Sequence, residues 1–410
     1  MHPRNPYNQP PDFLALAKSH PSLLPHIIQT ANGPTINFKS ETALRHLTQA
    51  LLQKDFSLNV QLPIDRLCPP VPNRLNYILW IQDVLDPFHS APVVPVKAID
   101  IGTGASCIYP LLGCRISSSW NFIATETDPS SYECASINIT SNGLQSRIQL
   151  HKAQAHEPIL SPLLGPGVFD FAMCNPPFYS NREEIEKKTA EKEFSPSAVC
   201  TGADTEMITP GGESAFVRQI VAESLIYRTR CRWFTSMLGK LSSLTDVVNS
   251  LRENGVENYA ITEFVQGQTR RWAIGWSFGD DRLPDSVSRI SNQSLHSLMP
   301  PHNTIRQPLS PADGIVVLQK LKQVLSTTEG VAVTQEHTTP DEVTIRLTTT
   351  GNTWSRAARR KKLKAPSGEM PQETSLSPAA PFNWVRGRDR ALFESFCSHI
   401  SRKVASDSSS

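Results

Sequence analysis

The first 280 residues alternate between short apolar runs and segments whose apolar positions recur with the period of a helix. This alternation predicts strands joined by helical crossovers, which produce a parallel sheet. The last two predicted strands are separated only by Val265 to Arg270, a hairpin-length connection, so this pair should be antiparallel. The predicted strands are Val93–Ile101, Asn121–Glu126, Ile148–Lys152, Phe169–Cys174, Arg232–Leu238, Asn258–Phe264 and Arg271–Phe278, and the helices are Ala105–Leu112, Ser130–Ser141, Ser214–Tyr227 and Leu244–Glu253.

Seven strands ending in an antiparallel hairpin predict an α/β fold of the class I, Rossmann-like type of methyltransferases, because dehydrogenases of similar topology keep an all-parallel sheet.

Composition suggests the boundaries of the domains. An arm rich in proline and asparagine spans 1–40, and the sheet domain, with an N-terminal helical cap, spans 41–285. A Ser, Pro and Asn-rich linker is predicted at 286–312, followed by a small C-terminal α+β domain with a basic segment at 313–404.

Charge and cysteine content exclude several classes of protein. The 410 residues include 40 basic and 38 acidic side chains, a net charge of +2, so any nucleic-acid binding must depend on local basic patches. No apolar stretch approaches the length of a membrane span, and we expect a soluble, intracellular protein. The eight cysteines never form a Cys-x-x-Cys pair, which argues against a zinc site or a disulfide framework. Nothing indicates an obligate protein partner.

A glycine loop follows the first strand of the predicted sheet. The run Asp100 to Ser106 ends a strand and opens a helix, which is where doubly wound sheets bind nucleotide cofactors. Cys107 stands where a dinucleotide site would need a third glycine, and Glu126 ends the next strand, where its carboxylate can accept both ribose hydroxyls of an adenosine moiety. The alternative is a structural turn followed by a surface acid. The candidate cofactor contacts are Asp100, Gly102, Gly104, Ser106 and Glu126.

The most specific signal is Asn175-Pro176-Pro177-Phe178, directly after the apolar strand 169–174. The Asn175 side-chain oxygen and the Pro176 carbonyl can each accept a hydrogen from one amino group, which frees the nitrogen lone pair to attack a methyl sulfonium. Phe178 offers a ring for stacking a flipped base, and no general base is required. The alternative is a rigid Pro-Pro turn. The motif by itself fits an amino group of adenine, guanine or a glutamine side chain.

Longer strings of this sequence closely resemble the methyltransferase-like protein 16 family over about the first 280 residues. They are Pro11-Asp12-Phe13, Val71 to Tyr77, Asp100 through Gly113, Ala124-Thr125-Glu126, Cys174 through Phe178, Gly211-Gly212-Glu213, Met237 to Lys240, Gln266-Gly267 and Arg271-Trp272-Ala273. The resemblance implies an S-adenosylmethionine-dependent RNA adenosine-N6 methyltransferase. The implied substrates include U6 small nuclear RNA and, in animals, hairpins in a transcript for S-adenosylmethionine synthetase. For such an enzyme we expect a nuclear location, with or without a cytoplasmic pool.

The resemblance implies roles for individual residues at the positions that align with the motifs of the family. It implies that Arg74, Gly102, Ser106, Glu126 and Asn175 contact the cofactor or the reacting group, and that a further cofactor contact falls near Glu157. Two departures affect the RNA contacts. The basic N-terminal arm of the family is reduced here to Arg4 with Tyr7, and Gln268 stands where an arginine is expected, with Arg270 as its replacement.

Candidate RNA contacts lie in three places. The segment Tyr179 to Gly212 follows the catalytic motif and is long for a loop, so we predict a flap that orders on RNA; its middle could equally be an ordinary charged helix. Arg270 and Arg271 flank the same edge of the sheet. Trp354 could stack on a base beside phosphate-binding cations, although the basic cluster also fits a nuclear import signal or a solvated helix. That cluster is Arg356, Arg359, Arg360, Lys361, Lys362 and Lys364.

Two rival functions remain open from the residues. The same Asn-Pro-Pro-aromatic loop serves ribosomal-RNA adenine-N6 methyltransferases and protein-glutamine methyltransferases. A third interpretation, from a different class, is an RNA-binding splicing factor in which methylation is incidental.

Overall fold

The computed structural model describes residues 1–31, 33–86, 95–154, 156–186, 202–267, 269–306, 314–338, 343–354, 372–377 and 380–406. The chain divides into two compact units. The first comprises Met1–Phe278 and Ile290–Met299, and the second comprises Gly279–Arg289 and Pro300–Ser410. In the part of the chain described, no helix combines the length and the hydropathy needed to cross a membrane.

The first unit contains the elements that form the sheet domain and its cap. Its helices are α1 Phe13–Ser19, α2 Glu41–Phe56, α3 Val71–Leu85, α4 Ile108–Ile116, α5 Pro129–Ser141, α6 Asp204–Met207, α7 Gly212–Tyr227 and α8 Leu241–Glu253. Its strands are β1 Ile27–Thr30, β2 Gly33–Ile36, β3 Val96–Ile101, β4 Trp120–Glu126, β5 Ile148–Lys152, β6 Phe169–Cys174, β7 Cys231–Leu238, β8 Tyr259–Gln266 and β9 Thr269–Trp276.

The central sheet has seven strands in the order β5-β4-β3-β6-β7-β9-β8. Strands β3 to β7 are parallel to one another, whereas β9 runs antiparallel to both β7 and β8. The predicted class I methyltransferase sheet with its terminal hairpin is therefore confirmed. Ile101 at the end of β3 lies opposite Thr125 of β4 and Cys174 of β6, so three strands end at one level. The segments that follow these strands must meet at the same edge.

Local sequence explains where the helices of this unit begin. The side chains of Ser40 and Asp128 accept hydrogen bonds from backbone amides in the first turns of α2 and α5, the usual function of an N-cap. Helix α4 starts at Ile108, three residues later than predicted, because Gly104 and Cys107 adopt left-handed conformations with φ of +67° and +50°. A continuous helix from Ala105 cannot include such residues.

The core of the first unit lies between the sheet and the helices α7 and α8. Their inward faces meet the largest buried rings, among which Phe234 and Trp276 stack with centroids 5.9 Å apart. Six of the seven described cysteines are also buried, and Cys68 is half-buried. The six buried cysteines therefore serve as core residues of the fold.

The predicted linker at 286–312 is wrong in its first part, because Leu295, Leu298 and Met299 are buried in the core of the first unit. Arg252 donates hydrogen bonds to the carbonyls of Ser297 and Met299, at 2.8 and 3.2 Å, and so fixes the same segment. The polar composition of this segment predicts a linker, but its three buried apolar side chains anchor it in the core of the first unit.

The second unit is α+β, as predicted for the C-terminal module. Its sheet has the order β10-β14-β13-β12-β11, and every pair in it is antiparallel. Its elements are β10 Thr304–Ile305, β11 Val331–Thr338, β12 Val343–Thr349, β13 Gln372–Ser377, β14 Ala380–Arg386, α9 Asp285–Ser288, α10 Gly314–Thr327 and α11 Arg390–Ser406. Within β14, the buried Phe382 and Trp384 alternate with the less buried Asn383 and Val385.

The predicted base-stacking role of Trp354 is contradicted by its burial. Its side chain is 5% exposed and packs within the core of the second unit against Phe396, with ring centroids 5.2 Å apart. Its indole nitrogen donates to the Ser395 hydroxyl. The aromatic residue beside the basic cluster is therefore a core residue. The cluster itself, with Arg356, Arg359 and Arg360, lies outside the described residues.

Candidate active site

A cavity of about 380 Å³ opens at the edge of the sheet where β3, β4 and β6 end. Its volume falls in the range of small-molecule and cofactor sites. The structure brings together in its wall most of the residues predicted to bind the cofactor or to catalyse. They are Arg74, Gly102, Gly104, Ser106, Glu126, Glu157, Asn175, Pro176, Pro177 and Phe178.

The glycine loop forms one wall of this cavity. Gly102 and Gly104 both have φ of +67°, and the space where a Gly102 Cβ would project contains no atom within 4 Å. Two glycines are required here because this conformation is strained for any residue with a side chain. They leave the backbone open to close approach by a ligand. The loop is tied to β4 by the Thr103 amide, which donates to the Thr125 carbonyl at 2.9 Å.

Glu126 at the end of β4 is fixed by backbone amides. Its Oε2 accepts from the Gly104 amide at 2.8 Å, and its Oε1 accepts from the amides of Thr127 and Asp128 at 2.8 and 2.9 Å. Burial raises the pKa of this carboxyl, although these three bonds oppose the rise. The carboxylate is thus held rigidly at the cavity wall, and it can accept further hydrogen bonds from a diol.

Asp100, the last acidic residue of β3, lies just behind the cavity. It is 1% exposed, and both carboxylate oxygens are buried without a hydrogen-bond partner among the described residues. Burial raises the pKa of Asp100 to about 7; the nearby Thr103 hydroxyl and the positive charge of Arg74 oppose the rise, and the negative charge of Glu126 adds to it. With a pKa near 7, the ionisation of this carboxyl at neutral pH depends on the charges of the groups beside it. Direct contact with a cofactor stays a prediction for this residue.

Arg74 of α3 connects the helical cap to the catalytic loop. Its Nη1 donates to the Tyr109 hydroxyl at 3.1 Å, and its guanidinium lies 5.5 Å from the centroid of that ring. The Asn175 carboxamide, assigned so that its oxygen faces Arg74, accepts from Nη1 at 2.9 Å and from Nη2 at 3.3 Å. The sequence predicts that this oxygen accepts from a target amine. In this structure Arg74 already engages it.

The catalytic loop is braced on its far side by the segment before α7. The Tyr179 amide donates to the Met207 carbonyl, and the Thr209 amide donates to the Tyr179 carbonyl, both at 3.0 Å. Phe178 packs on Gly239 so closely that a Cβ there would lie 3.0 Å from the ring. This close approach explains the glycine after β7. The two ends of the predicted flap therefore pair with each other directly after the catalytic loop, and its middle, 187–201, lies outside the described residues.

Glu206 is the main residue of the cavity that the sequence interpretation missed. It lies on α6, lines the cavity and faces Gly104. Tyr109, Phe216 and Gln219 line the same space and were also not predicted. Glu206 sits within a long polar segment with no recognisable period, so only folding brings it to the glycine loop.

The predicted RNA contacts of the first unit have intramolecular partners. Arg4 donates to the Asp83 carboxylate, to Gln82 and to the Leu79 carbonyl, which ties the N-terminal arm to α3. Arg270 pairs with Glu263 at 3.0 Å, and the Arg271 guanidinium lies 5.6 Å from the centroid of the Phe178 ring. Arg271 is thus beside the catalytic loop. RNA binding by all three residues stays a prediction, and Gln268 lies outside the described residues.

Comparison with known proteins places this site in a family. A family model described as RNA methyltransferase matches residues 1–280. The human RNA N(6)-adenosine-methyltransferase METTL16 is 38% identical over 381 residues, covering 88% of this chain and 68% of the relative. The Schizosaccharomyces pombe U6 small nuclear RNA (adenine-(43)-N(6))-methyltransferase is 37% identical over 385 residues, covering 92% of this chain and 97% of the relative.

Solved structures agree with the sequence matches. The human METTL16 catalytic domain in complex with a MAT2A 3′UTR hairpin is 42% identical with a TM-score of 0.65, covering 71% of this chain and 99% of that chain. The N-terminal domain of human METTL16 in complex with SAH is 40% identical with a TM-score of 0.58, covering 68% and 99% of the two chains. The cavity and catalytic loop lie within the matched residues. The chain therefore belongs to the RNA methyltransferase family, as its sequence resemblance predicted.

Proposed function

We propose that this protein transfers the methyl group of S-adenosylmethionine to the N6 atom of an adenosine in structured RNA, with U6 small nuclear RNA as the substrate. The observation that carries the proposal is the position of Asn175 to Phe178 at the rim of a cavity whose other walls are the glycine loop and Glu126. A group that activates an amine therefore lies beside a space suited to a nucleoside cofactor. The named activity of the fission yeast relative, which this chain covers almost completely, supports the choice of RNA.

The residues of the cavity fit S-adenosylmethionine. Gly102 and Gly104 leave the backbone open, and Glu126 is held where a ribose diol would meet its carboxylate. Arg74 is 6% exposed, and its Nε has no hydrogen-bond partner among the described residues, so a carboxylate ligand would satisfy a buried donor. The cofactor, when bound, supplies an electrophilic methyl group on a sulfonium. The chain supplies binding and orientation.

Asn175 has two mutually exclusive uses for its carboxamide oxygen. Both lone pairs are accounted for while Arg74 donates to it twice. A carboxylate ligand on Arg74 would compete for the same guanidinium and would release the Asn175 oxygen toward a target amine. Pro176 presents its backbone carbonyl from a buried, doubly proline-restricted position beside it. Together the two acceptors would orient the amine, and its proton would leave after transfer.

The RNA itself would approach along the edge marked by Phe178 and Arg271. We further propose that Arg356, Arg359 and Arg360 of the C-terminal basic segment contact phosphates, because a first unit near neutral charge needs additional cations to hold a duplex. A nuclear location follows from a small nuclear RNA substrate. The neighbouring solved complexes with RNA hairpins are consistent with a structured substrate for this chain.

Methyl transfer to a defined RNA tests the proposal. The purified protein, incubated with methyl-labelled S-adenosylmethionine and U6 small nuclear RNA, should produce labelled N6-methyladenosine after nuclease digestion. Asn175→Ala should reduce the rate by about 10²–10³, the usual effect of removing one positioned hydrogen-bonding group. The matched control is Asn254→Ala, an exposed asparagine after α8, which should retain full activity.

The rival functions predict different products. Label appearing in ribosomal RNA or in a glutamine of a release factor, with none in U6 small nuclear RNA, would favour the rival enzymes. A cellular phenotype that survives Asn175→Ala but is lost on removing the charges of 359–362 would favour the splicing-factor interpretation. The first result would make the proposed substrate wrong, and the second would make methyl transfer incidental to the role of the protein.

A further inference from the structure

The cofactor cavity has an excess of negative charge. Among the described residues that line it, the formally charged side chains are one cation, Arg74, and three anions, Glu126, Glu157 and Glu206. Asp100 lies just behind them. Arg74 and Glu126 are almost fully buried, so the charges are only weakly screened by solvent. The cavity is therefore electrostatically suited to a ligand with a net positive charge.

The Glu206 side chain is fixed by hydrogen bonds to the helical cap and to the residue before its own helix. Its Oε2 accepts from the Leu67 amide at 2.9 Å and from the Ala203 amide at 3.1 Å. Its Oε1 lies 3.6 Å from where a Cβ on Gly104 would project, which places the carboxylate against the glycine loop. Burial raises the pKa of Glu206, while the two backbone bonds and Arg66 oppose the rise. A cation in the cavity would further favour the ionised form.

The other two carboxylates that line the cavity, Glu126 and Glu157, differ from Glu206 in their hydrogen bonds and exposure. Glu126 receives three backbone hydrogen bonds and faces the expected ribose position. Glu157 is 30% exposed and accepts from the Gln154 amide, so solvent screens its charge more than that of Glu126. Glu206 is the carboxylate whose backbone bonds use one oxygen and leave the other directed at the glycine loop.

The methyl donor and its product differ by one charge at one atom. S-adenosylmethionine carries a sulfonium in addition to its ammonium and carboxylate, whereas S-adenosylhomocysteine carries a neutral thioether. We propose that the Glu206 carboxylate makes the cavity distinguish the charged donor from the neutral product, so that loss of the methyl group weakens binding. This inference rests on the proposed function, because it needs S-adenosylmethionine as the cofactor. Glu206 is here a specificity-determining residue and takes no part in the transfer itself.

Binding of both ligands to the full chain tests the proposal. Calorimetry measures the dissociation constants of S-adenosylmethionine and S-adenosylhomocysteine for the wild type and for Glu206→Gln. Glutamine keeps a carbonyl oxygen for the amides of Leu67 and Ala203 but removes the charge. We expect donor affinity to fall about tenfold, the effect of one nearby charge in a partly buried site, and product affinity to change less than twofold. The matched control, Glu253→Gln at the exposed end of α8, should change neither.

A second variant separates charge from structure. Glu206→Asp keeps the charge on a shorter side chain, so it should retain the ratio of the two affinities even where both are weaker. If Glu206→Gln weakens the affinities for both ligands by the same factor, or changes neither affinity, the inference is overturned while the proposed function stays intact. Failure of the wild type to bind either ligand would instead remove the proposed function, and the inference with it.

Discussion

At the scale of single residues, the active site depends on positions whose backbone or charge state is unusual. Gly102 has a left-handed backbone at the cavity wall, and Asp100 is a buried carboxyl whose pKa is near neutrality. Arg74 and Asn175 share hydrogen bonds that a ligand would redistribute. Each of these features is local, and each can be altered by one substitution.

Substituting Gly102 with alanine should affect the ligand more than the fold. Its φ of +67° makes a side chain cost about 1–2 kcal/mol of unfolding free energy. Gly143, with φ of +65° and no atom within 4 Å of a would-be Cβ, is a matched control away from the cavity. Both alanine variants should lose similar stability in thermal melts, and only Gly102→Ala should lose donor affinity. Equal ligand affinities in the two variants would remove the glycine loop from the binding site.

Asp100 makes the stability of the first unit depend on pH. Because its folded pKa of about 7 exceeds the unfolded value of 3.8, the folded state holds an extra proton between these limits. Stability from this group is present at low pH and is lost as the pH rises through 7. Asp100→Asn, which cannot ionise, should therefore gain in melting temperature relative to the wild type from pH 5 to pH 8. Between pH 5 and pH 8 about two pH units of this window are crossed, which corresponds to roughly 3 kcal/mol of unfolding free energy. A difference independent of pH would contradict the buried neutral carboxyl.

At the scale of elements, one helix positions the loop that supports Phe178. Glu213, in the first turn of α7, is fully buried and accepts from the amides of Gly239 and Lys240 at 2.7 and 2.8 Å. These bonds hold the loop after β7 against the Phe178 ring. The catalytic loop is therefore braced from β7 as well as from α6.

Removing the Glu213 carboxylate should destabilise this brace. Glu213→Ala leaves two backbone amides unpaired, which costs about 2–4 kcal/mol of unfolding free energy and should loosen Phe178. Glu213→Gln retains one acceptor and should cost less. Urea unfolding measures the loss of stability, and the rate of methyl transfer measures the effect of loosening Phe178. Full activity in a folded Glu213→Ala protein would show that the position of Phe178 does not depend on this loop.

At the scale of the whole molecule, the chain crosses between its two units more than once. The segment 290–299 returns to the first unit and buries Leu295, Leu298 and Met299 there, while 279–289 belongs to the second unit. Tyr259 donates to the Leu298 carbonyl at 3.1 Å, so the segment is hydrogen-bonded as well as packed. A truncated catalytic unit must therefore keep residues that composition alone would discard.

Two truncations test this boundary. A fragment ending at 299 should be more stable than one ending at 285, the end of the domain predicted from composition. Each of the three lost apolar side chains contributes about 1.5–3 kcal/mol when buried, so the difference should exceed several kcal/mol. Melting temperatures of the two fragments provide the comparison. Equal melting temperatures would mean that 290–299 does not belong to the core of the first unit.

Much of the fold could be predicted from the sequence because regular elements leave periodic patterns. The sheet strands, the terminal hairpin and the crossover helices were predicted mostly to within a few residues, and the catalytic loop was recognisable from four adjacent residues. Local chemistry sufficed wherever neighbours in sequence act together. The start of α4 was missed because Cys107 adopts a left-handed backbone that no propensity indicates.

The amino-acid order alone determined the fold class, the family resemblance and the residues of the glycine and catalytic loops, since these depend on short-range patterns. Tertiary structure decided which residues from distant segments are in contact. It joined Arg74 to Asn175 and brought Glu206 to Gly104. It also buried Trp354, and it anchored 290–299 in the first core. Contacts between residues far apart in the chain arise only when packing brings them together, and a single sequence carries no periodic signal of such contacts.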